Sequence, residues 1–168
     1  ILTSDEELVA VEDKTESVVL VVADATLLSF DDKSFSGRPL YNPYEYRWGD
    51  GSAKITDSSR YSEGSEYPAL IKNGAQITLR VAVKIILPLM RPILGMTIKT
   101  KDGVTIFGSN SELLQCDGVQ TVYENGKTFT AVINFDCNLG EGDFFISLGL
   151  ATREGEEIIP HDRRYDSI

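Results

Sequence analysis

The sequence predicts an all-β sandwich, and three observations carry that prediction. From Trp48 onward, strand-length runs rich in Val, Ile, Thr and Phe alternate with turn residues. The longest run, Ala75 to Ile85, keeps a strict period of two, with Ile77, Leu79, Val81, Val83 and Ile85 on one face and Gln76, Thr78, Arg80, Ala82 and Lys84 on the other. Asp102-Gly103 and Asn125-Gly126 each lie between two such runs, and these dipeptides supply the positive φ of tight hairpin turns. Short strands with turn signals about every 8 to 12 residues, and no long helical period, argue for a sandwich and against an α/β fold.

In chain order, Ile1 to Glu16 is acid-rich and weakly patterned, and reads as a linker or a short terminal helix over Asp5 to Val11. Val18 to Val22 is the first β-branched run, and Asp31-Asp32-Lys33-Ser34 breaks the pattern. Ser36 to Tyr46, with Gly37, Pro39 and Pro43, is expected to be extended loop. Residues 1–45 therefore read as linker, N-terminal strand and loop, and residues 46–168 as the sandwich. After the long strand, Ile93 to Thr100 and Val104 to Phe107 are expected to form one hairpin, and Gln120 to Glu124 with Lys127 to Phe135 a second. In the second, Phe129, Ala131, Ile133 and Phe135 share the buried face. Phe144 to Ala151 follows the turn Gly140-Glu141-Gly142-Asp143 as another strand. The final Arg163 to Ile168 looks like the start of a strand cut short, and an edge lacking its partner is a pairing surface.

The chain has 168 residues and a formal net charge of −10, which opposes binding to nucleic acid or anionic lipid. Cys116 and Cys137 do not make a dense disulfide framework, so both are expected to be reduced. The most apolar stretch, Val81 to Leu94, is interrupted by Lys84, Pro88, Arg91 and Pro92 and is no membrane span. The first residues lack both a methionine and the basic-then-apolar pattern of a secretory signal, which reads as a fragment of something longer.

No catalytic pattern stands out in the sequence. Asn125-Gly126-Lys127-Thr128 ends like a phosphate-binding loop, but Thr121 stands where its first glycine belongs and a strand follows where a helix should. The single histidine, His161, lies in a polar terminal segment and reads as an exposed loop residue, with no nucleophile motif around any serine. Cys116 and Cys137 have no companions at zinc-ligand spacing, and the acidic turns do not match a calcium loop. No cofactor and no metal are expected. A pair of carboxylates for glycoside hydrolysis is a matter of space, and nothing in the sequence singles one out.

One stretch does stand out: Tyr41, Tyr44, Tyr46, Arg47 and Trp48, followed by Tyr61 and Tyr67. Sugar rings pack their C–H faces on flat aromatic rings while their hydroxyls need fixed polar partners, so this composition suits glycan binding. The competing reading is that these rings cap the sandwich, since aromatics usually serve burial.

The run Tyr46-Arg47-Trp48-Gly49-Asp50-Gly51-Ser52-Ala53-Lys54-Ile55-Thr56 resembles the opening of the C-terminal domain of Wzt-type proteins, the ATP-binding subunits of O-antigen polysaccharide ABC exporters. Lys72-Asn73-Gly74-Ala75, Leu94-Gly95-Met96-Thr97-Ile98-Lys99, Ile106-Phe107-Gly108-Ser109-Asn110-Ser111 and Leu139-Gly140-Glu141-Gly142-Asp143-Phe144 follow in that family's order. The family usually has Gly-Thr-Gly-Glu-Ala at positions 49–53 and Gly-Thr-Asn-Thr at 108–111, so ligand details are open. The resemblance implies an immunoglobulin-like sandwich that binds the exported glycan, often at its modified non-reducing end. It further implies a homodimer, in some members through an exchanged terminal strand. An upstream nucleotide-binding domain, a membrane exporter subunit and a cytoplasmic location at the inner face of the inner membrane complete what it implies.

A binding surface on a sandwich must use outward positions, because the core consumes the inward ones. Gln76, Thr78, Arg80 and Lys84 on the long strand are the candidates, together with Thr97 and Lys99 on the strand expected beside it. Arg80 and Lys99 would suit a phosphate or carboxylate on the glycan. Trp48 would be the stacking platform beside Tyr46 and Arg47, although alternation puts Tyr46 and Trp48 on one face and Arg47 on the other. Asn110 is either a ligand for a sugar hydroxyl or a turn former bonding its own backbone. The competing functions are a protein-interaction module of the same fold and a glycan-modifying enzyme.

Overall fold

The computed structural model describes residues 9–10, 18–24, 35–116 and 122–168. Its strands are β1 (Val9–Ala10), β2 (Val18–Asp24), β3 (Tyr46–Trp48), β4 (Ala53–Ser62), β5 (Ser65–Glu66), β6 (Gln76–Ile85), β7 (Leu89–Met90), β8 (Ile93–Thr100), β9 (Thr105–Asn110), β10 (Val122–Tyr123), β11 (Thr128–Asp136), β12 (Phe144–Glu154) and β13 (Glu157–Tyr165). Helix among the described residues is a single 3-10 turn, Phe35–Gly37. All strand pairs are antiparallel, in a six-stranded sheet of order β1-β2-β11-β6-β4-β5, a five-stranded sheet of order β3-β13-β12-β8-β9, and a two-stranded ribbon β10-β7.

The period of two decides which faces meet. Ile77, Leu79, Val81, Val83 and Ile85 of β6 are buried, as are Phe129, Ala131, Ile133 and Phe135 of β11, and they pack against Leu94, Met96 and Ile98 of β8 and Ile146, Leu148 and Leu150 of β12. Two apolar sheet faces thus close on one core, each large aliphatic side chain contributing about 1.5–3 kcal/mol relative to exposure. The all-β sandwich expected from the pattern, and the immunoglobulin-like form that the resemblance implied, are the fold observed. Cys116 and Cys137 are not joined in a disulfide.

Several expectations about pairing are corrected. β8 does not neighbour β6: it lies in the other sheet between β12 and β9, while β6 is flanked by β11 and β4. Asn125-Gly126 makes a turn with Gly126 at φ +81°, yet β10 pairs with β7 and not with β11, so this turn carries the chain between sheets instead of closing a hairpin. The Asp102-Gly103 hairpin between β8 and β9 forms as expected. Near the start, Val9–Ala10 pairs with Val21 and Val22 as strand, not helix, and the rest of the acid-rich segment and Asp31 to Ser34 lie outside the described residues. Arg163 to Tyr165 is the far end of β13, held by β12 on one side and β3 on the other, and not the start of an unpartnered strand. The Ser167 N–H then donates to the Ile146 carbonyl, which seats the last residues on β12.

The junction of β3 with β13 depends on charge and on one glycine. Asp162 accepts hydrogen bonds from Nε and Nη2 of Arg47, both at 2.8 Å, and from the Ile55 N–H at 2.7 Å. Two residues on, the buried Arg164 binds the Glu45 carboxylate through Nε and Nη2 and donates to the Ile55 carbonyl. Both pairs point from β13 toward β4, so the strand joins the sheets. Gly49 follows with φ +150°, and a Cβ there would lie 2.3 Å from the His161 carbonyl oxygen. Only glycine lets this backbone close on β13, where Gly51 N–H donates to that same carbonyl at 3.0 Å.

Candidate functional site

The outer face of the five-stranded sheet is concave because small residues meet across its middle strands. Gly149 of β12 pairs with Gly95 of β8, and Gly95 with Asn110 of β9; on the other side Gly149 pairs with Arg163, and Arg163 with Trp48. Directly paired residues point to the same face of a sheet. The row Trp48, Arg163, Gly149, Gly95, Asn110 is therefore a cross-section with large walls and a floor of bare backbone. The next row continues the floor with Ser147, Thr97 and Gly108. The result is a groove of about 490 Å³.

One end of the groove is apolar, formed by Ile93, Leu113, Ala151 and Ile158, and Arg153 and Glu112 join across it through bonds of 2.8 and 2.7 Å. That hydrogen bonding holds the Glu112 carboxyl below its usual pKa and raises the Arg153 guanidinium. The other end is polar. Lys99 Nζ is 5.0 Å from the centroid of the Tyr165 ring and 3.6 Å from Asp166 Oδ1. Tyr165 stacks with Tyr46 at 6.2 Å between centroids. Along the wall, the Arg163 side chain lies over Gly149, and its Nε is buried without a hydrogen-bond partner. The lining residues include the bases Lys99, Arg153 and Arg163 against the acid Glu112, so this face departs from the chain's net charge of −10.

The expected site residues divide between the two sheets. Thr97, Lys99 and Asn110 line the groove. Tyr46 and Trp48 do not line the groove itself but lie one strand out, 67% and 43% exposed, paired with the lining residues Tyr165 and Arg163. Arg47 faces the opposite way, as alternation required, and its guanidinium is engaged by Asp162. Gln76, Thr78 and Arg80 lie on the outer face of the other sheet, where Thr78 donates to Asn134 Oδ1 at 2.7 Å and Arg80 lies 4.9 Å over the Tyr61 ring. A single surface cannot gather Arg80 and Lys99, since the core separates them. Asn110 accepts from the Leu113 N–H at 2.8 Å, so it forms the turn while also walling the groove.

His161 is corrected from an exposed loop residue to a strand residue only 4% exposed. Its ring bonds Thr152 Oγ1 at 2.8 Å and Asp50 Oδ1 at 2.9 Å, which fastens the Gly49–Gly51 turn to β13. The Gly49-Asp50-Gly51 motif thus serves structure. Sequence reasoning passed over Gly95, Gly149, Arg163 and Tyr165; the available signal was glycine inside two otherwise regular strands, which marks close approach or a missing wall. Among the described residues no group of His, Cys, Asp and Glu is arranged to hold a metal ion. No helix among them is long and apolar enough to cross a membrane.

Comparison with known proteins agrees with this fold. A sequence profile of the Wzt C-terminal domain matches residues 44–168. A solved structure described as the C-terminal domain of Wzt aligns with a TM-score of 0.76 and 32% sequence identity, covering 84% of this chain and 86% of that one. No curated protein sequence matches the chain. The order of motifs, the sandwich topology and these two likenesses agree, and the chain belongs to the Wzt C-terminal domain family.

Proposed function

We propose that this chain is a non-catalytic carbohydrate-binding module that recognises an O-antigen polysaccharide for export by an ABC transporter, and that the groove on the five-stranded sheet is its glycan site. The observation that carries the reading is the glycine-floored trough between an aromatic edge and a polar wall. Tyr46 and Trp48 offer flat faces for sugar C–H surfaces, while Arg163, Thr97, Lys99 and Asn110 offer polar groups for hydroxyls. The unpartnered Arg163 Nε supports it further, because a buried donor without an acceptor gains by receiving one.

Each hydrogen bond that replaces one to water gains only about 0.5–1.5 kcal/mol, so a single domain binds weakly. A homodimer presenting two grooves to a repeating polymer would raise the apparent affinity. In this reading the glycan-binding part of the module is residues 46–168, with β2 completing its six-stranded sheet, and it is coupled to an upstream nucleotide-binding domain and an exporter membrane subunit, at the cytoplasmic face of the inner membrane. Gln76, Thr78 and Arg80 have no part in the groove, and Arg47 positions β3 without touching the glycan.

The test is calorimetric titration with purified O-polysaccharide. Saturable binding is expected, lost in Trp48→Ala and Arg163→Ala while the far-ultraviolet dichroism of both variants stays that of the parent. Unchanged binding in both variants, no binding to any O-polysaccharide, or the appearance of shortened glycan after incubation would each overturn the proposal.

A further inference from the structure

The outer face of the six-stranded sheet carries a second, smaller concavity of about 150 Å³. Its floor is Ala82, which pairs with Asp57 of β4 on one side and Thr130 of β11 on the other, so all three point to the same face. A bulge between Ile55 and Asp57 re-aims β4 at this point. Arg38, Ser59, Tyr61, Glu66 and Arg80 form the walls.

The polar groups in this pit are unusually deep. Asp57 is 1% exposed, and its carboxylate accepts from Arg38 Nε, Arg38 Nη2 and the Ser58 N–H. A carboxylate offers about four acceptor positions, so one remains. Thr130 is 7% exposed, and its Oγ1 is buried with no hydrogen-bond partner. Buried hydroxyls are nearly always paired, and one left open at the floor of a concavity marks a place where something else supplies the partner. Arg80, held 4.9 Å over the Tyr61 ring, brings further donors to the rim. Charge is balanced, Arg38 and Arg80 against Asp57 and Glu66, which favours a neutral occupant. At about 30 Å³ per water, the space equals roughly five waters and admits one ring edge-on but not a chain.

We propose that this pit is a second sugar site, independent of the groove, which takes one edge of a single neutral, hydroxyl-rich pyranose. A ring hydroxyl would donate to Asp57 and a neighbouring one would pair with Thr130 Oγ1, with Arg80 donating from the rim. The same chemistry is met by a free sugar and by a residue of a polymer. The groove does not have to bind glycan for this to hold.

The experiment uses the whole chain with labelled methyl groups, since Ala82 and Thr130 report on the pit and Thr97 and Ala151 on the groove. Methyl α-D-mannopyranoside, methyl β-D-galactopyranoside and methyl N-acetyl-β-D-glucosaminide are titrated separately, and purified O-polysaccharide in a parallel arm. At least one methyl glycoside is expected to shift the Ala82 and Thr130 signals saturably. Thr130→Val should weaken that response roughly two- to tenfold, the worth of one hydrogen bond, without lowering the melting temperature, because no native bond is lost. Ala82→Val, which fills the floor, should abolish it; if that variant does not fold, Thr130→Val still decides. The proposal is overturned if no glycoside moves the Ala82 and Thr130 signals, if only Thr97 and Ala151 respond, or if Thr130→Val responds like the parent. Pit shifts with a groove that stays still in the polysaccharide arm as well would support this site while refuting the groove reading. A matching shift with polysaccharide would identify the occupant as a polymer residue, and its absence beside a glycoside response would identify a free sugar.

Discussion

The outer faces of the two sheets look alike as strings of letters and differ as surfaces. β6 presents Gln76, Thr78, Arg80, Ala82 and Lys84, and β8 presents Ile93, Gly95, Thr97 and Lys99. On the first face a single small residue, Ala82, lies between Asp57 and Thr130 and leaves a pit; on the second, two glycines lie side by side and leave a trough. Concavity is thus a property of neighbours across strands. A residue's own polarity says that it faces water, and the residue beside it decides whether that water fills a hollow.

The contrast can be broken by changes that act on the frame and sharpened by changes that act on one face. Gly49→Ala should have the largest effect, because the added Cβ meets the His161 backbone at 2.3 Å in a conformation that L-residues rarely adopt. A loss above about 4 kcal/mol in denaturant unfolding is expected, and it would expose both faces alike. Arg164→Leu comes next: it leaves the buried Glu45 carboxylate without its guanidinium and should cost about 3–5 kcal/mol by the same measurement.

Gly149→Leu should separate the faces. Its side chain enters the groove floor against the flexible Arg163, so stability should change by less than about 1 kcal/mol, while polysaccharide affinity falls at least about tenfold in titration calorimetry. Methyl glycoside shifts at Ala82 should be untouched by that change.

The smallest effect concerns acid. Burial acts to raise the Asp50 pKa, but hydrogen bonds from the Ser52 N–H and His161 outweigh it and hold the carboxyl below its ordinary value of 3.8. A carboxyl whose folded pKa is depressed adds stability that is present above the unfolded value and is lost as pH falls through the folded one. Asp50→Asn should therefore flatten the fall in unfolding free energy as pH drops below about 4, by less than about 1 kcal/mol because the side chain is partly solvated.

Much of the architecture was legible because each strand face announces itself locally. Phe129, Ala131, Ile133 and Phe135 could be assigned inward from their spacing alone, and so could the β8–β9 hairpin from Asp102-Gly103. The same logic failed at Asn125-Gly126, where the turn forms but the strand before it pairs with β7. A dipeptide specifies a reversal of the backbone, and it does not specify which sheet receives the next strand. His161 misled for a related reason: its polar surroundings are its partners, the buried Thr152 and the partly exposed Asp50, brought together by pairing across β12 and β13 and by the Gly49 turn.

By itself the sequence determined the sandwich, the inward faces and the family, since these follow from periodicity, turn chemistry and ordered motifs carried within short stretches of chain. Only the tertiary structure decided that Thr97 and Lys99 share a surface with Trp48 and Tyr46 and that Arg80 does not. The physical reason is that strand order is set by long-range pairing, here β13 inserting between β3 and β12 through the bonds of Asp162 and Arg164, and no local pattern encodes which glycines will come to lie opposite one another.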